Sequence, residues 1–111
     1  MTPNEYQKAA MRTASGKCYD CLNAALGIAG EAGEVADYIK KCGFQGHRFD
    51  EWKLKEELGD VLWYVALMAD IWNISLEEVM EDNIEKLKKR YPEGFSAERS
   101  IHRTEVGNEH T

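Results

Sequence analysis

The sequence contains few residues that interrupt helices. Only two of its 111 residues are proline, Pro3 and Pro92, and both lie at the outer edges of the apolar pattern. Because proline breaks the interior of a helix, the region between them is free to form long helices. The alternation of apolar and polar residues that is typical of strands is nearly absent. The sequence therefore predicts an all-α fold.

Long apolar runs and positive charge are also scarce. No apolar run reaches the roughly 18 residues that span a bilayer, and the first residues lack the apolar core of a signal peptide. We therefore expect a cytoplasmic protein with no membrane partner. The 14 basic residues are outnumbered by 20 acidic ones, giving a net charge of −6, which argues against nucleic-acid binding. A small anionic substrate stays compatible, because a bound divalent cation reverses the local charge.

The three cysteines are too few, and odd in number, for a disulfide framework. Cys18 and Cys21, together with Cys42 and His47, can be drawn as a four-ligand zinc site. The alternative is that the cysteines are reduced thiols that pack as small apolar residues along a helix. We favour reduced thiols, because zinc ligands of this kind usually lie on loops.

Cap and turn signals divide the chain into four predicted helices. The first has Thr2 as its N-cap and runs to about Ala14. The second is expected to end at Gly43, since glycine is common just after a helix. The other boundaries predict helices at about 19–41, at 51–72 and from Ser75 to Tyr91. We assign residues 1–95 to one domain and residues 96–111 to a polar C-terminal tail.

The third predicted helix is apolar on two sides. One stripe at helical spacing consists of Leu54, Leu58, Val61, Val65, Met68 and Trp72. Trp63, Ala66 and Leu67 make the opposite side apolar as well. Four helices in a chain of this length can hardly bury both sides, so we expect a homo-oligomer in which a second subunit completes the helical bundle.

Two pairs of acidic residues form the main candidate site. Glu31 and Glu34 are three residues apart on the second predicted helix, and Glu57 and Asp60 have the same separation on the third. Each pair therefore projects from one side of its helix. If the two helices pack antiparallel, the four carboxylates can converge, and they would repel one another unless cations neutralised them. Ligands that are all oxygen favour Mg²⁺ first and Mn²⁺ second.

The residues around these acids help to distinguish a binding site from an ordinary solvated surface. Acidic pairs on helices are most often solvated, and their spacing alone is not specific. However, the flanking stretches GIAGEAGEVA and GDVLWYVALMA are mostly small or apolar, where charges are rarely found unless paired or metal-bound.

Three interior glycines also need an explanation, because Gly27, Gly30 and Gly33 each cost the second helix about 1 kcal/mol relative to alanine. They indicate a close approach by a backbone or a ligand, with plain packing as the other explanation.

The fourth predicted helix carries a polar residue within its apolar stripe. Asn83 lies in the middle of that stripe, and Lys86 and Arg90 lie along its edge. An inward polar side chain flanked by cations suits a nucleotide that bears phosphates. A structural asparagine beside ordinary surface cations is an equally acceptable interpretation of this helix on its own.

Three stretches of the sequence together resemble a known family. GIAGEAGEVADYIKK, KEELGDVLWYVALMA and LEEVMEDNIEKLKKRYPEGF are similar to MazG-like nucleoside triphosphate pyrophosphohydrolases, over roughly residues 5–95. The resemblance implies an all-α fold whose subunits assemble as homodimers or homotetramers. It also implies Mg²⁺-dependent hydrolysis between the α and β phosphates of an NTP or dNTP, which gives a nucleoside monophosphate and pyrophosphate and serves nucleotide-pool house-cleaning.

The resemblance also implies roles for individual residues. The four acids would be metal ligands or their close partners. Asn83 and Lys86 match the N-x-x-K of the family, where nucleotide contacts are expected, and Arg90 is a weaker candidate on the same face. A carboxylate that is not fully committed to metal can take a proton from water. Glu34 is our first candidate for this catalytic base and Glu31 our second.

Two other classes of function compete with this interpretation. One is a non-catalytic helical homo-oligomer that binds a metal or a partner protein, and it would release no pyrophosphate. The other is a di-iron bundle, which requires E-x-x-H motifs. The histidines lie elsewhere, His47 in a predicted loop and His102 and His110 in the tail, so we set the di-iron bundle aside. The sequence does not indicate which base is preferred. The substrate could equally be dUTP, dCTP or a damaged nucleotide.

Overall fold

A computed structural model describes residues 1–102, and the remainder of the predicted tail lies outside the described residues. Within that range there are five α-helices and no β-strand, so the predicted all-α class is confirmed. The helices are α1 (Pro3–Ala10), α2 (Cys21–Phe44), α3 (Glu51–Ile71), α4 (Leu76–Arg90) and α5 (Ala97–Ile101). The described residues form two compact units, Met1–Leu76 and a second one that begins at Glu77.

Helix α1 begins as the sequence predicts and ends earlier. The Thr2 hydroxyl accepts a hydrogen bond from Glu5 N (3.1 Å), and the Glu5 carboxylate accepts one from Thr2 N (2.7 Å), which forms a capping box. The helix was expected to reach Ala14, but a 3₁₀ turn replaces it after Ala10. The Ala10 carbonyl accepts instead from the Thr13 hydroxyl and from Trp63 Nε1, both at 3.0 Å.

Helix α2 runs past the glycine that was predicted to end it. The Asp20 carboxylate caps its first turn by accepting from Leu22 N at 2.9 Å. The prediction that Gly43 ends the helix is wrong, because the helix continues to Phe44. The glycine with a positive φ (73°) is Gly46, and His47 N then donates to the Lys41 carbonyl at 3.1 Å. A glycine with a positive φ is common just after the end of a helix.

Helices α3 and α4 begin close to their predicted positions. The Asp50 carboxylate accepts from Trp52 N (3.0 Å) at the start of α3. Helix α3 ends at Ile71, and Asn73 turns the chain with a positive φ of 55°. Asparagine tolerates this left-handed conformation better than most residues. Helix α4 then begins at Leu76.

The first unit is built on a pair of helices, α2 and α3, and α1 packs against α3. Its buried apolar side chains are Ala24, Tyr38, Ala66, Leu67, Ala69 and Leu76. The buried side chain of Gln7 fastens α1 to the end of α3. Its amide oxygen accepts from Leu76 N at 2.8 Å, and its amide nitrogen donates to the Ile74 carbonyl at 3.0 Å. These bonds satisfy backbone groups that the helix ends leave unpaired.

Much apolar surface stays uncovered in the single chain. In α3, Leu58 is 51% exposed, and Trp72, on the same apolar stripe, is 62% exposed. In α2, Leu22 and Leu26 are 67% and 65% exposed. None of the helices within residues 1–102 combines the length and the apolar character needed to cross a membrane.

The second unit, described as far as His102, contains α4 and a short helix that the sequence did not predict. Ser96 caps α5 by accepting from Arg99 N at 3.1 Å. The Arg99 guanidinium donates to the Lys89 carbonyl at 3.1 Å and to the Arg90 carbonyl, so it satisfies the end of α4. The start of the predicted polar tail is thus helical. The division of the chain at residues 95 and 96 stays a prediction.

Candidate metal centre

Three carboxylates converge where α2 and α3 face each other. One oxygen from each of Glu31, Glu57 and Asp60 lies within 4.8 Å of the other two. We call these three residues the acidic triad. Among residues 1–102, they form the only group of three or more acidic, histidine or cysteine side chains with this proximity. The predicted convergence of the two acidic pairs therefore holds for three of the four acids.

The antiparallel pairing of the two helices explains why the triad forms. Near the loop, the Tyr38 hydroxyl accepts from Asp50 N at 2.6 Å, and it contacts the Asp50 carbonyl oxygen at 3.2 Å. At the far end, the Tyr19 hydroxyl, just before α2, donates to the Asp70 carboxylate at 2.6 Å. The end of α2 thus faces the start of α3, and the start of α2 faces the end of α3. The triad lies between these two connections.

A close contact one helical turn from the triad determines how near the helices approach. A Cβ atom added at Gly27 would overlap the ring of Tyr64. Gly27 precedes Glu31 by four residues, and Tyr64 follows Asp60 by four. The interior glycine is therefore needed for packing at this position. Gly30 and Gly33, which were grouped with it in the sequence, have open space where a Cβ would lie.

The triad residues differ in burial and repel one another. Glu57 is buried at 7% exposure, Glu31 is half-buried and Asp60 is exposed. Partial burial raises the pKa of Glu31 above its ordinary value, and the charges of Asp60, Glu57 and Glu34 raise it further. Burial also raises the pKa of Tyr6 on α1, with a contribution from Asp60. The site therefore resists holding all its negative charge without a cation.

One lysine partly neutralises the triad. Lys53 Nζ lies 2.9 Å from Glu57 Oε1 and 3.4 Å from Glu56 Oε1. Hydrogen bonding to Glu57, and then to Glu56, raises the pKa of Lys53. Neither Lys53 nor Tyr6 was predicted to belong to the site. Lys53 precedes Glu57 by four residues, a spacing that brings opposite charges together on a helix and could have identified the pair.

Glu34 lies apart from the triad. Its side chain is exposed, and its carboxylate does not belong to the group of oxygens within 4.8 Å. It is close enough for its charge to contribute to the raised pKa values of Glu31 and Lys41. The metal-ligand and catalytic roles predicted for Glu34 stay predictions.

The residues considered for zinc do not form a site. Cys18 and Cys21 are exposed and Cys42 is half-buried, and all three thiols are free. Within the described residues, these cysteines and His47 do not come together as a ligand group. This agrees with the favoured interpretation as reduced thiols. Two of the three residues, however, are exposed, although Cys21 Sγ lies 3.9 Å from Met68 Sδ.

The predicted nucleotide contacts lie on α4, in the second unit. Asn83 is exposed, so its expected inward position is wrong for the single chain. Lys86 and Arg90 are half-buried. Arg90 Nε is buried and has no hydrogen-bond partner. Arg90 also lines a cavity of about 530 Å³ together with Phe95 and Arg99. Substrate binding by Asn83, Lys86 and Arg90 stays a prediction.

The donor set of the triad fits a hard divalent cation. All three groups are carboxylates, which Mg²⁺ and Mn²⁺ accept readily. The oxygens of the triad lie within 4.8 Å of one another, so all three carboxylates are candidate ligands of a single ion.

Comparison with known proteins decides the family. The family model of the MazG nucleotide pyrophosphohydrolase domain matches residues 21–95, well over half of the chain. The chain belongs to this family. The matched region contains α2, α3 and α4, with Glu34 and the whole triad. The description of the matched family model is that of a nucleotide pyrophosphohydrolase domain.

Two relatives of this MazG chain have moderate identity to it. The Gene 37 protein of Mycobacterium phage L5 is 41% identical over 76 residues, which cover 62% of this chain and 64% of the phage protein. The uncharacterized protein YvdC of Bacillus subtilis strain 168 is 39% identical over 70 residues, covering 55% of this chain and 66% of YvdC. The chain thus matches slightly less than two thirds of the length of each. No solved structure gave a significant match.

Proposed function

We propose that this chain is a Mg²⁺-dependent nucleoside triphosphate pyrophosphohydrolase that takes part in nucleotide-pool house-cleaning. It cleaves an NTP or dNTP between the α and β phosphates, giving a nucleoside monophosphate and pyrophosphate. The observation that carries the proposal is the convergence of Glu31, Glu57 and Asp60 on two packed helices of a MazG domain. A triphosphate adds further negative charge beside these acids. Divalent cations are therefore needed between the phosphates and the carboxylates.

The triad would hold the cation, with Mn²⁺ as the alternative to Mg²⁺. A bound divalent cation neutralises phosphate charge and lowers the pKa of water. Glu57 is buried, so packing restricts the movement of its carboxylate. Asp60 is exposed on the same face of α3 and can be reached by a triphosphate from solvent.

Glu34 is our first candidate for the base that activates water. Since it is exposed and outside the triad, its carboxylate is free of the metal commitment that Glu57 and Asp60 would have. Glu34 would take the proton as the water oxygen bonds to phosphorus, and the bridging bond between the α and β phosphates would break. Pyrophosphate then leaves. Glu31 is the second candidate, since partial burial and the neighbouring acids raise the pKa of its carboxyl.

The remaining parts of the proposal concern the substrate and the assembly. Asn83, Lys86 and Arg90 on α4 would contact the nucleotide, the two cations through its phosphates. Exposed apolar side chains on α2 and α3 support a homodimer or homotetramer. The cytoplasmic location and the lack of nucleic-acid and membrane partners stay predictions from composition.

A screen of canonical and modified triphosphates tests the proposal. Each nucleotide is incubated with the chain, with Mg²⁺ and with EDTA, and pyrophosphate is detected. We expect pyrophosphate release only with Mg²⁺, and a loss of at least about 100-fold in Glu57→Gln and Asp60→Asn, as for removal of a group that stabilises the transition state. Glu51→Gln is the matched control, because Glu51 pairs with Lys55 on the same helix, outside the triad.

Two results would contradict the proposal. If Glu57→Gln and Asp60→Asn kept full activity, the triad would have no part in catalysis. If no triphosphate released pyrophosphate in the presence of Mg²⁺, the chain would be a non-catalytic helical module.

A further inference from the structure

Lys53 lies beside the acidic triad and forms an ion pair with one of its members. Its ammonium lies 2.9 Å from Glu57 Oε1, where the lysine side chain is 44% exposed and the glutamate side chain only 10%. Within Met1–Leu76, Lys53 is the only cationic side chain that pairs with a member of the triad. Glu31 and Asp60 form no ion pair with the chain's own residues there.

The cation and the lysine need the same carboxylate. Glu57 is the most buried member of the triad, so water cannot compensate its charge well when no partner is present. Lys53 supplies that partner through Glu57 Oε1. A divalent cation bound by the triad would have to approach the same carboxylate, and the two positive charges would repel each other at such short range.

We propose that Lys53 is an internal counter-ion that competes with the divalent cation for Glu57. Without metal, the ammonium neutralises the buried carboxylate. When the cation binds the triad, Lys53 Nζ leaves Glu57. The inference rests on the proposed function, because it takes the triad as the metal centre.

The neighbouring residue Glu56 gives the displaced ammonium a place to go. Glu56 Oε1 is already 3.4 Å from Lys53 Nζ, and the Glu56 side chain is 50% exposed. Lys53 can therefore exchange one carboxylate for the other by side-chain rotation, with its charge still partly solvated. Lys53 thus pairs with Glu57 in the metal-free state and with Glu56 in the metal-bound state.

The chain contains a closely matched control for this lysine. Lys55 lies on the same helix and pairs with Glu51 at 3.5 Å, again with a spacing of four residues. Its pair is exposed, with 67% and 78% of the two side chains accessible, and includes no triad residue. Replacing Lys55 removes the same formal charge as replacing Lys53, so any effect of net charge alone appears in both variants.

Direct titration of the metal-stripped full chain with Mn²⁺, without nucleotide, tests the inference. Calorimetry, or the loss of the free Mn²⁺ electron paramagnetic resonance signal, gives the dissociation constant. We expect Lys53→Met to bind Mn²⁺ about 3- to 10-fold more tightly than the wild type, because the competing charge is gone. Lys53→Arg should stay near the wild-type value, and so should Lys55→Met. Glu56→Gln should bind more weakly, because the displaced ammonium loses its second partner.

The outcomes separate this inference from the function on which it rests. Unchanged or weaker Mn²⁺ binding in Lys53→Met, with normal binding by the wild type, overturns the competition and leaves the metal centre in place. An equal gain in Lys55→Met overturns it too, since the effect would then be one of net charge. A wild-type chain that binds no Mn²⁺ overturns both the competition and the proposed metal-dependent function. Circular dichroism of each variant confirms that its helices are formed.

Discussion

The ring of Tyr64 lies directly against the backbone of Gly27, so closely that no side chain fits at position 27. Because each residue is one helical turn from the acidic triad, their contact sets the separation of α2 and α3 at the proposed metal centre. Glu31 belongs to one helix, and Glu57 and Asp60 belong to the other. The distance between their carboxylates therefore depends on this packing.

Replacing Gly27 with alanine should separate the helices and weaken the site. We expect Gly27→Ala to lower the free energy of unfolding by about 1–3 kcal/mol, which is typical of overpacking, and to weaken Mn²⁺ binding. Urea denaturation and metal titration measure the two effects. Gly30→Ala is the control, because the space at Gly30 is open, and it should be neutral or stabilise by up to about 1 kcal/mol. Equal effects at both positions would contradict the role of the Tyr64 contact.

Glu31 should make the metal-free protein less stable as the pH rises. Its folded-state pKa is raised above the ordinary value of 4.5, so between these two values the native state binds more protons than the unfolded state. The free energy of unfolding then decreases with pH across that window. In EDTA at neutral pH, Glu31→Gln should be more stable than the wild type, and this difference should vanish below pH 4.5.

Urea denaturation at a series of pH values, with and without Mg²⁺, checks this prediction. With saturating Mg²⁺ the order should reverse, because the wild type gains binding energy that Glu31→Gln lacks. A stability difference that does not change with pH would show that Glu31 is not in a repulsive site.

Gln7 should contribute to stability through its buried hydrogen bonds. We expect Gln7→Leu to lower the free energy of unfolding by about 2–3 kcal/mol, because Leu76 N and the Ile74 carbonyl would lose their partner. Chemical denaturation measures the loss. Gln45→Leu changes an exposed residue in the same way and should stay within about 0.5 kcal/mol of the wild type. A similar result for both variants would show that the Gln7 bonds add nothing.

The exposed leucines of α2 should belong to a subunit interface. Leu22 and Leu26 are one turn apart and each about two-thirds exposed, and apolar patches of this kind mark interaction surfaces. We expect light scattering to give twice or four times the mass of one chain. Leu26→Glu should shift the protein toward the monomer, while Ser15→Glu, an equal charge at an exposed position before α2, should not. A wild type that is monomeric at all concentrations would contradict the interface.

The acidic triad could be predicted in part, because it follows from local periodicity. Residues three apart on a helix share a face, and a short connection makes neighbouring helices antiparallel. The convergence of Glu31 with Glu57 and Asp60 follows from these two facts. The position of Glu34 outside the triad does not, because a difference of one helical turn along α2 is decided by how the helices cross.

The end of α2 shows the same limit. Gly43 and Gly46 are both acceptable as helix-ending glycines, and the sequence favoured the first. In the structure the left-handed residue is Gly46, and His47 N donates to the Lys41 carbonyl. Likewise, the helix at Ala97–Ile101 has little apolar periodicity, and its formation depends on the cap at Ser96 and on the bonds of Arg99.

By itself, the sequence determined the helical class, the approximate helices, the family and the faces that carry the acids. These depend on propensity, caps and a repeat of 3.6 residues, all of which are local. Only the tertiary structure decided that Tyr64 packs on Gly27, that three acids converge and not four, and that Lys53 pairs with Glu57. Such contacts depend on the distance and crossing of two helices, which many side chains determine together.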